Sequence, residues 1–169
     1  MKINIGGETK KEGCMNYNVQ KKPNVDIVGN INDLSQFENE SVEEIYASHV
    51  IEHVDQKTIK NTFKDIFRIL KKKGKFYVSV PDMDVLCHFF VSPLANKKIK
   101  FHTMRMIFGG QVDNFDYHYF GWNYEFMNDY LLEAGFFEIK KVDSFGLFED
   151  TSDYKPYGFP ISLNVVAIK

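Results

Sequence analysis

The stretch from residue 44 to residue 80 constrains the fold most, because it has the pattern of a strand, a helix and a second strand. Residues 44–48 and 75–80 are short runs rich in β-branched and aromatic side chains, and Pro81 follows the second run. Between them, apolar side chains recur at the spacing of one helix face, at Ile59, Phe63, Ile66, Phe67 and Leu70. We expect Gly74 to end this helix. Two strands joined in this way are normally parallel, which predicts an α/β sheet.

The remaining elements extend this sheet on both sides. Asn123 is a suitable N-cap for one of the later helices, and Gly135 a suitable stop. With 169 residues, the chain is long enough for one domain and too short for two full ones, so we expect a single domain over 1–169. Further strands are expected at 3–5, 15–19, 25–28, 136–142 and 162–168, and further helices at 83–91, 97–108 and 123–134.

Composition excludes several classes of partner. The formal net charge is -2 at pH 7, which gives no support for a nucleic-acid partner. No 18-residue apolar run or leader pattern is present, so we expect no membrane association and a cytoplasmic location. Cys14 and Cys87 should then be reduced thiols. Nothing in the composition indicates an oligomeric state.

In parallel α/β sheets, ligands bind at the carboxyl ends of the strands. Paired glycines after the first strand allow the backbone to approach a ligand closely, although a tight turn also explains them. Asp82 is suited to accept a proton from a substrate or, alternatively, to cap the following helix. The side chains and glycines at these predicted strand ends are Gly6, Gly7, Asn18, Asn30, Ser48, His49 and Asp82.

The segment S-H-V-I-E-H-V, residues 48–54, supports two chemistries. His49 and His53 form the pattern H-x-x-E-H, which in one class of zinc hydrolases supplies two metal ligands and a glutamate base. That function requires a long helix around the motif and a third ligand downstream. Here the motif directly follows a strand and no third ligand is evident. We therefore expect no metal and keep a zinc hydrolase only as a remote alternative.

Residues 109–122 are rich in glycine and aromatic side chains and have no periodicity. Loops of this kind in compact domains are usually functional. We expect a lid or substrate loop within about 83–122, with His118 as a general base. The alternative is that its aromatic side chains pack as ordinary core and His118 lies at the surface. In the functional interpretation Gly109 and Gly110 form the hinge, and Tyr117, Tyr119 and Phe120 the walls.

In order along the chain, these segments resemble the class I S-adenosylmethionine-dependent methyltransferases, in particular the small type 11-like group. The run from Glu43 to Asp82 is the most specific part. The resemblance implies a Rossmann-like, mostly parallel sheet of about seven strands with helices on both faces. It also implies S-adenosylmethionine as cofactor, S-adenosylhomocysteine as product, and direct methyl transfer to a small-molecule acceptor. The segments that carry it are 3–8, 26–34, 43–54, 67–82, 131–136 and 163–169.

The resemblance also assigns roles to residues, with three departures from the family pattern. Glu8 stands where a loop glycine is usual, and Asn18 stands where an acid usually holds the ribose. The first crossover, 7–15, is too short for a full helix, so that helix should be reduced or absent. A neutral acceptor at Asn18 costs about 1 kcal/mol, or about five- to tenfold in affinity. The assigned contacts are Gly6 and Gly7 with Glu8 for the methionine and ribose, Asn18 for the ribose, Asn30 with Ile31 for adenine, and Ser48 with His49 for the sulfonium.

These departures keep a second function open. A chain with an eroded cofactor site could be a non-catalytic Rossmann-like module that binds a ligand or a partner protein. The intact segment at 48–54 favours the enzyme over this alternative.

Overall fold

The computed structural model describes residues 1–169 and contains seven strands. They are β1 Lys2–Ile5, β2 Cys14–Asn18, β3 Ile27–Val28, β4 Val42–Ser48, β5 Leu70–Pro81, β6 Glu138–Val142 and β7 Ser162–Ile168. The strands form one sheet in the order β3-β2-β1-β4-β5-β7-β6. Strands β1 to β5 are parallel to one another, and β7 runs antiparallel to both β5 and β6. The expected mostly parallel α/β sheet is confirmed.

Four α-helices accompany the sheet: α1 Ile59–Ile69, α2 Met83–Val91, α3 Lys97–Phe108 and α4 Tyr124–Ala134. The capping expected for α4 is present, because the Asn123 side chain accepts a hydrogen bond from the backbone N–H of Phe126. Gly135 follows in the left-handed conformation, with φ of 113°. No helix in the chain is both long and apolar enough to cross a membrane.

The expectation that Gly74 ends α1 is wrong. The helix ends at Ile69, and the chain continues directly into β5, where Leu70 pairs with Val42 of β4. The register then shifts between Val42 and Glu44, which accommodates the extra residues at the start of β5. Gly74 lies inside this strand, where an added Cβ would be 2.7 Å from the Lys71 carbonyl oxygen. Pairing within the sheet therefore sets the end of the helix.

Helices α1 and α4 cover one face of the sheet and form the main core. Phe63 of α1 contacts three aromatic rings, with centroid distances of 6.2 Å to Phe76, 5.8 Å to Trp122 and 6.4 Å to Tyr130. All of these rings except Tyr130 are fully buried. This layer fixes β4 and β5, whose carboxyl ends carry candidate site residues.

On the opposite face of the sheet, aromatic side chains of a loop cover β4 and β5. Tyr46 and Tyr77 pack there against Phe145, and Tyr46 also against Phe148. Both phenylalanines belong to the segment 143–161, whose only helix is a single 3-10 turn, Thr151–Asp153. This cover is therefore a loop that packs through its aromatic side chains.

The half of the sheet formed by β1 to β3 has no crossover helices. The first crossover, 6–13, is a turn, as its length predicted. The second, 19–26, and the third, 29–41, also lack helices, and the third is instead buried through Leu34 and Phe37. The carboxyl ends of β1, β2 and β3 are thus held by turns and side-chain hydrogen bonds.

Candidate functional site

A groove of about 480 Å³ lies at the carboxyl ends of β1 to β4. Small-molecule sites typically have volumes of about 300–1,000 Å³. The groove is placed where ligands bind in parallel α/β sheets. It brings together six of the eight residues expected to contact a cofactor, namely Gly6, Glu8, Asn18, Asn30, Ile31 and His49.

Gly6 closes the first strand with a backbone that a larger residue could not adopt without strain. Its φ is 77°, and its N–H donates to the Tyr17 carbonyl at 2.7 Å. A Cβ at this position would lie 2.4 Å from Cγ2 of Val50. Val50 also lines the groove, so the glycine lets β1 and the segment after β4 approach each other at the ligand site.

Asn18 uses both ends of its amide within the protein. Its Nδ2 donates to the Gly6 carbonyl at 2.9 Å, and its Oδ1 accepts from the Gln20 backbone N–H at 2.9 Å. The side chain is buried, with 7% exposed. The carboxylate of an aspartate could not donate to the Gly6 carbonyl. The asparagine that replaces the usual acid therefore provides a hydrogen bond that holds the first loop.

Tyr17 is a site residue that the sequence analysis missed. Its hydroxyl lies 2.8 Å from the carbonyl oxygen of Asn30 and 2.9 Å from that of Asp33. The ring is buried, and an added Cβ on Gly29 would be 2.3 Å from the hydroxyl. Tyr17 therefore anchors the turn after β3, where the adenine contacts were expected. In the sequence it looks like an ordinary core residue of a strand.

The groove has a negative balance of charged side chains. Glu8 is paired with Lys22, and both line the groove. Asp113 and Asp116 line it from the far side, and Asp113 Oδ2 accepts from Gln20 Nε2 at 3.3 Å. Three carboxylates and one lysine thus face the same space.

Gly7 and Ser48 lie outside this groove. They line a second cavity of about 200 Å³ that also contains Asp150 and Thr151. The Ser48 hydroxyl donates to Asp150 Oδ1 at 3.3 Å. The two cavities share Ile5, Gly6 and Glu8, so they meet at the first loop.

Asp82 is separate from both cavities. It is 4% exposed, and its Oδ1 accepts from the backbone N–H groups of Asp84 and Val85 at 3.2 and 3.4 Å. Its Oδ2 lies 3.2 Å from Lys141 Nζ. Both oxygens are therefore used to cap α2 and to bind a lysine.

The segment 109–122 contributes mainly to the same groove as the cofactor residues. Residues 112–116 and Tyr119 line it. Phe120 instead stacks on the buried Trp122 with ring centroids 4.1 Å apart, so it belongs to the core. Gly109 has a φ of 84° at the end of α3, at the position expected for a hinge. Tyr117, which was expected as a wall, does not line the groove and is 41% exposed.

The H-x-x-E-H segment does not form the long helix that a zinc hydrolase of that pattern needs. It contains only a 3-10 turn, Ile51–His53, directly after β4. His49 precedes the turn with φ of 53° and is bonded through Nε2 to the Ser162 hydroxyl at 2.9 Å. His53 Nδ1 lies 3.0 Å from the Tyr117 carbonyl.

A third histidine completes this cluster. His118 lies outside the groove lining, and its ring packs against that of His53 with a centroid distance of 4.8 Å. Burial lowers the pKa of His118, which keeps the ring neutral near pH 7. Burial of Glu52 would raise the pKa of its carboxyl, but the neighbouring histidines, chiefly His49, outweigh burial and hold that pKa below its usual value. An ionised, buried carboxylate therefore lies among three imidazoles.

Known proteins match this chain in part of its sequence and in its fold. Residues 8–78 match the family model described as a methyltransferase domain. The match covers most of the loop after β1, the groove residues on β2 to β4 and most of β5, and it agrees with the family resemblance seen in the sequence. No curated protein matches the chain.

Solved structures share the whole fold at low sequence identity. A SAM-dependent methyltransferase from Archaeoglobus fulgidus aligns with a TM-score of 0.62 and 16% identity, covering 99% of this chain and 85% of that one. A possible histamine N-methyltransferase from Thermotoga maritima aligns with a TM-score of 0.61 and 17% identity, covering 99% of this chain and 81% of that one. The methyltransferase CalH, solved in complex with S-adenosylhomocysteine (SAH), aligns with a TM-score of 0.57 and 14% identity, covering 99% of this chain and 50% of that one.

Proposed function

We propose that this chain, which carries a methyltransferase domain of the S-adenosylmethionine-dependent class, binds that cofactor in the groove and transfers its methyl group to a small-molecule acceptor. The observation that carries the proposal is the convergence of Gly6, Asn18 and Asn30 on one groove. They come from the ends of three adjacent strands in the sheet order of this fold. A cytoplasmic location is part of the same proposal. The absence of a nucleic-acid partner is also part of it and is supported by the small net charge of the chain.

The groove and the second cavity divide the cofactor between them in this proposal. The nucleoside lies in the groove, with adenine against Ile31 and Asn30 and the ribose beside Asn18. The methionyl end follows the shared first loop into the second cavity, toward Gly7 and Ser48. His49, between the two, lies at the level of the sulfonium.

The protein's contribution to the reaction is mainly positional. When bound, the cofactor supplies an electrophilic methyl group. Holding an acceptor in line with such a group contributes up to about 7–11 kcal/mol. The segment 112–116 closes the far side of the groove and limits access of water. Asp82 takes no part, because both of its oxygens are occupied. His118 lies outside the groove, where its ring packs against that of His53.

Calorimetry with SAH tests the proposal. We expect binding in the micromolar range or weaker, because the ribose acid is replaced by Asn18. An Ile31→Glu variant should lose binding, since it places a charge and extra bulk at the adenine end of the groove. Leu94→Glu is the matched control, because Leu94 is 91% exposed between α2 and α3. Absence of heat at millimolar SAH would contradict the proposal and favour the non-catalytic module.

A further inference from the structure

The cluster beside the groove has the composition of a metal centre. Ligand atoms of Glu52, His53 and His118 all lie within 4.8 Å of one another. Two imidazoles and one carboxylate are the protein ligands of several catalytic zinc and non-haem iron sites. In the sequence no third ligand is evident beside the H-x-x-E-H segment, and the fold brings His118 to it from a distant loop.

Glu52 is the strongest single indication. Its side chain is 1% exposed, and neither carboxylate oxygen has a hydrogen-bond partner. Its one ion-pair contact is His49, whose Nδ1 lies 3.3 Å from Oε1. A buried carboxylate is strongly unfavourable unless a cation or good hydrogen bonds compensate it. A cation bound by this carboxylate would provide such compensation.

His53 is held as metal-binding histidines usually are. A carbonyl oxygen only accepts hydrogen bonds, so the contact with Tyr117 places the proton of His53 on Nδ1. The lone pair is then on Nε2, which is free to bind a cation. Metal-binding histidines almost always donate their second ring N–H in this way.

The backbone already holds the two parts of the cluster together. The Tyr119 N–H donates to the Glu52 carbonyl at 2.8 Å, next to His118 in the chain. The Phe108 carbonyl accepts from the His118 N–H at 3.2 Å. Only side-chain adjustment is therefore needed, since the donors of a tetrahedral ion with bonds of about 2.0–2.1 Å lie roughly 3.4 Å apart.

We propose that Glu52, His53 and His118 bind one divalent transition-metal cation at the edge of the groove. His49 acts as an outer partner that positions Glu52. This differs from the zinc-hydrolase pattern, because His49 is not a ligand. Three protein ligands would leave at least one position of the cation open, and one of those ligands, His53, lines the groove. His118 then serves the cation, which replaces the direct base role expected from the sequence.

Cobalt(II) titration of the untagged, chelator-treated and desalted protein tests the site. Visible ligand-field absorption should saturate at one Co²⁺ per chain, and Zn²⁺ should displace it. Glu52→Gln and His118→Gln should each weaken binding by more than about 100-fold, since loss of an outer partner alone costs about 10- to 100-fold. His49→Gln should weaken cobalt binding by about 10- to 100-fold, as expected for loss of an outer partner. His88→Ala is the matched control, because His88 is exposed on α2, and it should bind as the wild type does.

Two results would overturn the assignment: no saturable absorption up to millimolar cobalt, or equal affinity in the wild type and in folded Glu52→Gln and His118→Gln variants. Circular dichroism identifies the variants that fold. If Glu52→Gln does not fold, His118→Gln, which changes a loop residue, tests the site by itself. SAH calorimetry on the metal-free protein separates this assignment from the proposed function. If the protein binds SAH but not cobalt, only the metal assignment is contradicted. If it binds cobalt but not SAH, only the cofactor proposal is contradicted.

Discussion

Replacing Asn18 by aspartate restores the acid that this fold usually carries at the ribose, and we expect it to weaken the protein. The Asn18 amide donates to the Gly6 carbonyl at 2.9 Å. Aspartate keeps the acceptor for Gln20 but places a carboxylate oxygen opposite that carbonyl. The change therefore removes a buried hydrogen bond and introduces a repulsive contact in the first loop.

The magnitude follows from burial. A buried group that loses its hydrogen-bond partner costs about 1–3 kcal/mol. For a domain of this size, each kcal/mol changes Tm by about 2–4 °C, so Asn18→Asp should lower Tm by about 2–12 °C. Cofactor affinity should not improve, because any new bond to a ribose hydroxyl is offset by the disturbed Gly6 loop.

Thermal unfolding and SAH calorimetry on the same preparations measure both quantities. Asn114→Asp is the control, since Asn114 is exposed and lines the groove, and the variant adds the same charge without touching the Gly6 contact. If Asn18→Asp had an unchanged Tm and bound SAH at least about fivefold tighter, a gain near that of a charged acceptor, our account of Asn18 would be refuted.

Three further substitutions test the packing around the site. Gly6→Ala should destabilise the protein by about 1–3 kcal/mol more than Gly13→Ala, because both glycines have positive φ but only Gly6 meets Val50; equal Tm values would contradict this. Tyr17→Phe should cost about 1 kcal/mol in stability and raise the SAH Kd, since it frees the turn after β3; unchanged calorimetry would exclude the anchoring role. Phe63→Ala should cost about 3–5 kcal/mol in urea unfolding, because it leaves a cavity in the aromatic core; a cost below about 1 kcal/mol would show that the core repacks freely.

Local periodicity was enough to predict most of the fold. The helical spacing from Ile59 onward and the apolar run at 75–80 give α1 and β5 directly, and their connection implies parallel strands. The end of α1 was not predictable in this way, because the pairing of Leu70 with Val42 depends on a distant strand. A glycine near a helix end is only a local signal, and the sheet overrode it.

The site was predictable to the extent that strand ends determine it. Gly6, Asn18 and Asn30 follow strands, so their convergence could be inferred from the sequence. His118 could not be placed beside Glu52, because its position depends on the backbone contact between Tyr119 and Glu52 and on the chain reaching the core at Trp122. Contacts of this kind join residues far apart in sequence and leave no periodic signal.

The acidic groove and its helix-free first loop together select among nucleoside ligands. Helix N-termini after glycine loops attract phosphate groups, and this loop has no such helix, so dinucleotides gain little here. Because Glu8 is paired with Lys22, the excess negative charge of the groove comes from Asp113 and Asp116, and it favours a sulfonium cation over the neutral thioether left after methyl transfer. In the proposed reaction this makes product release easier than substrate release, and the preference for S-adenosylmethionine over SAH should shrink as ionic strength rises. The loss of cofactor affinity implied by the altered motifs thus coincides with a charge distribution suited to turnover.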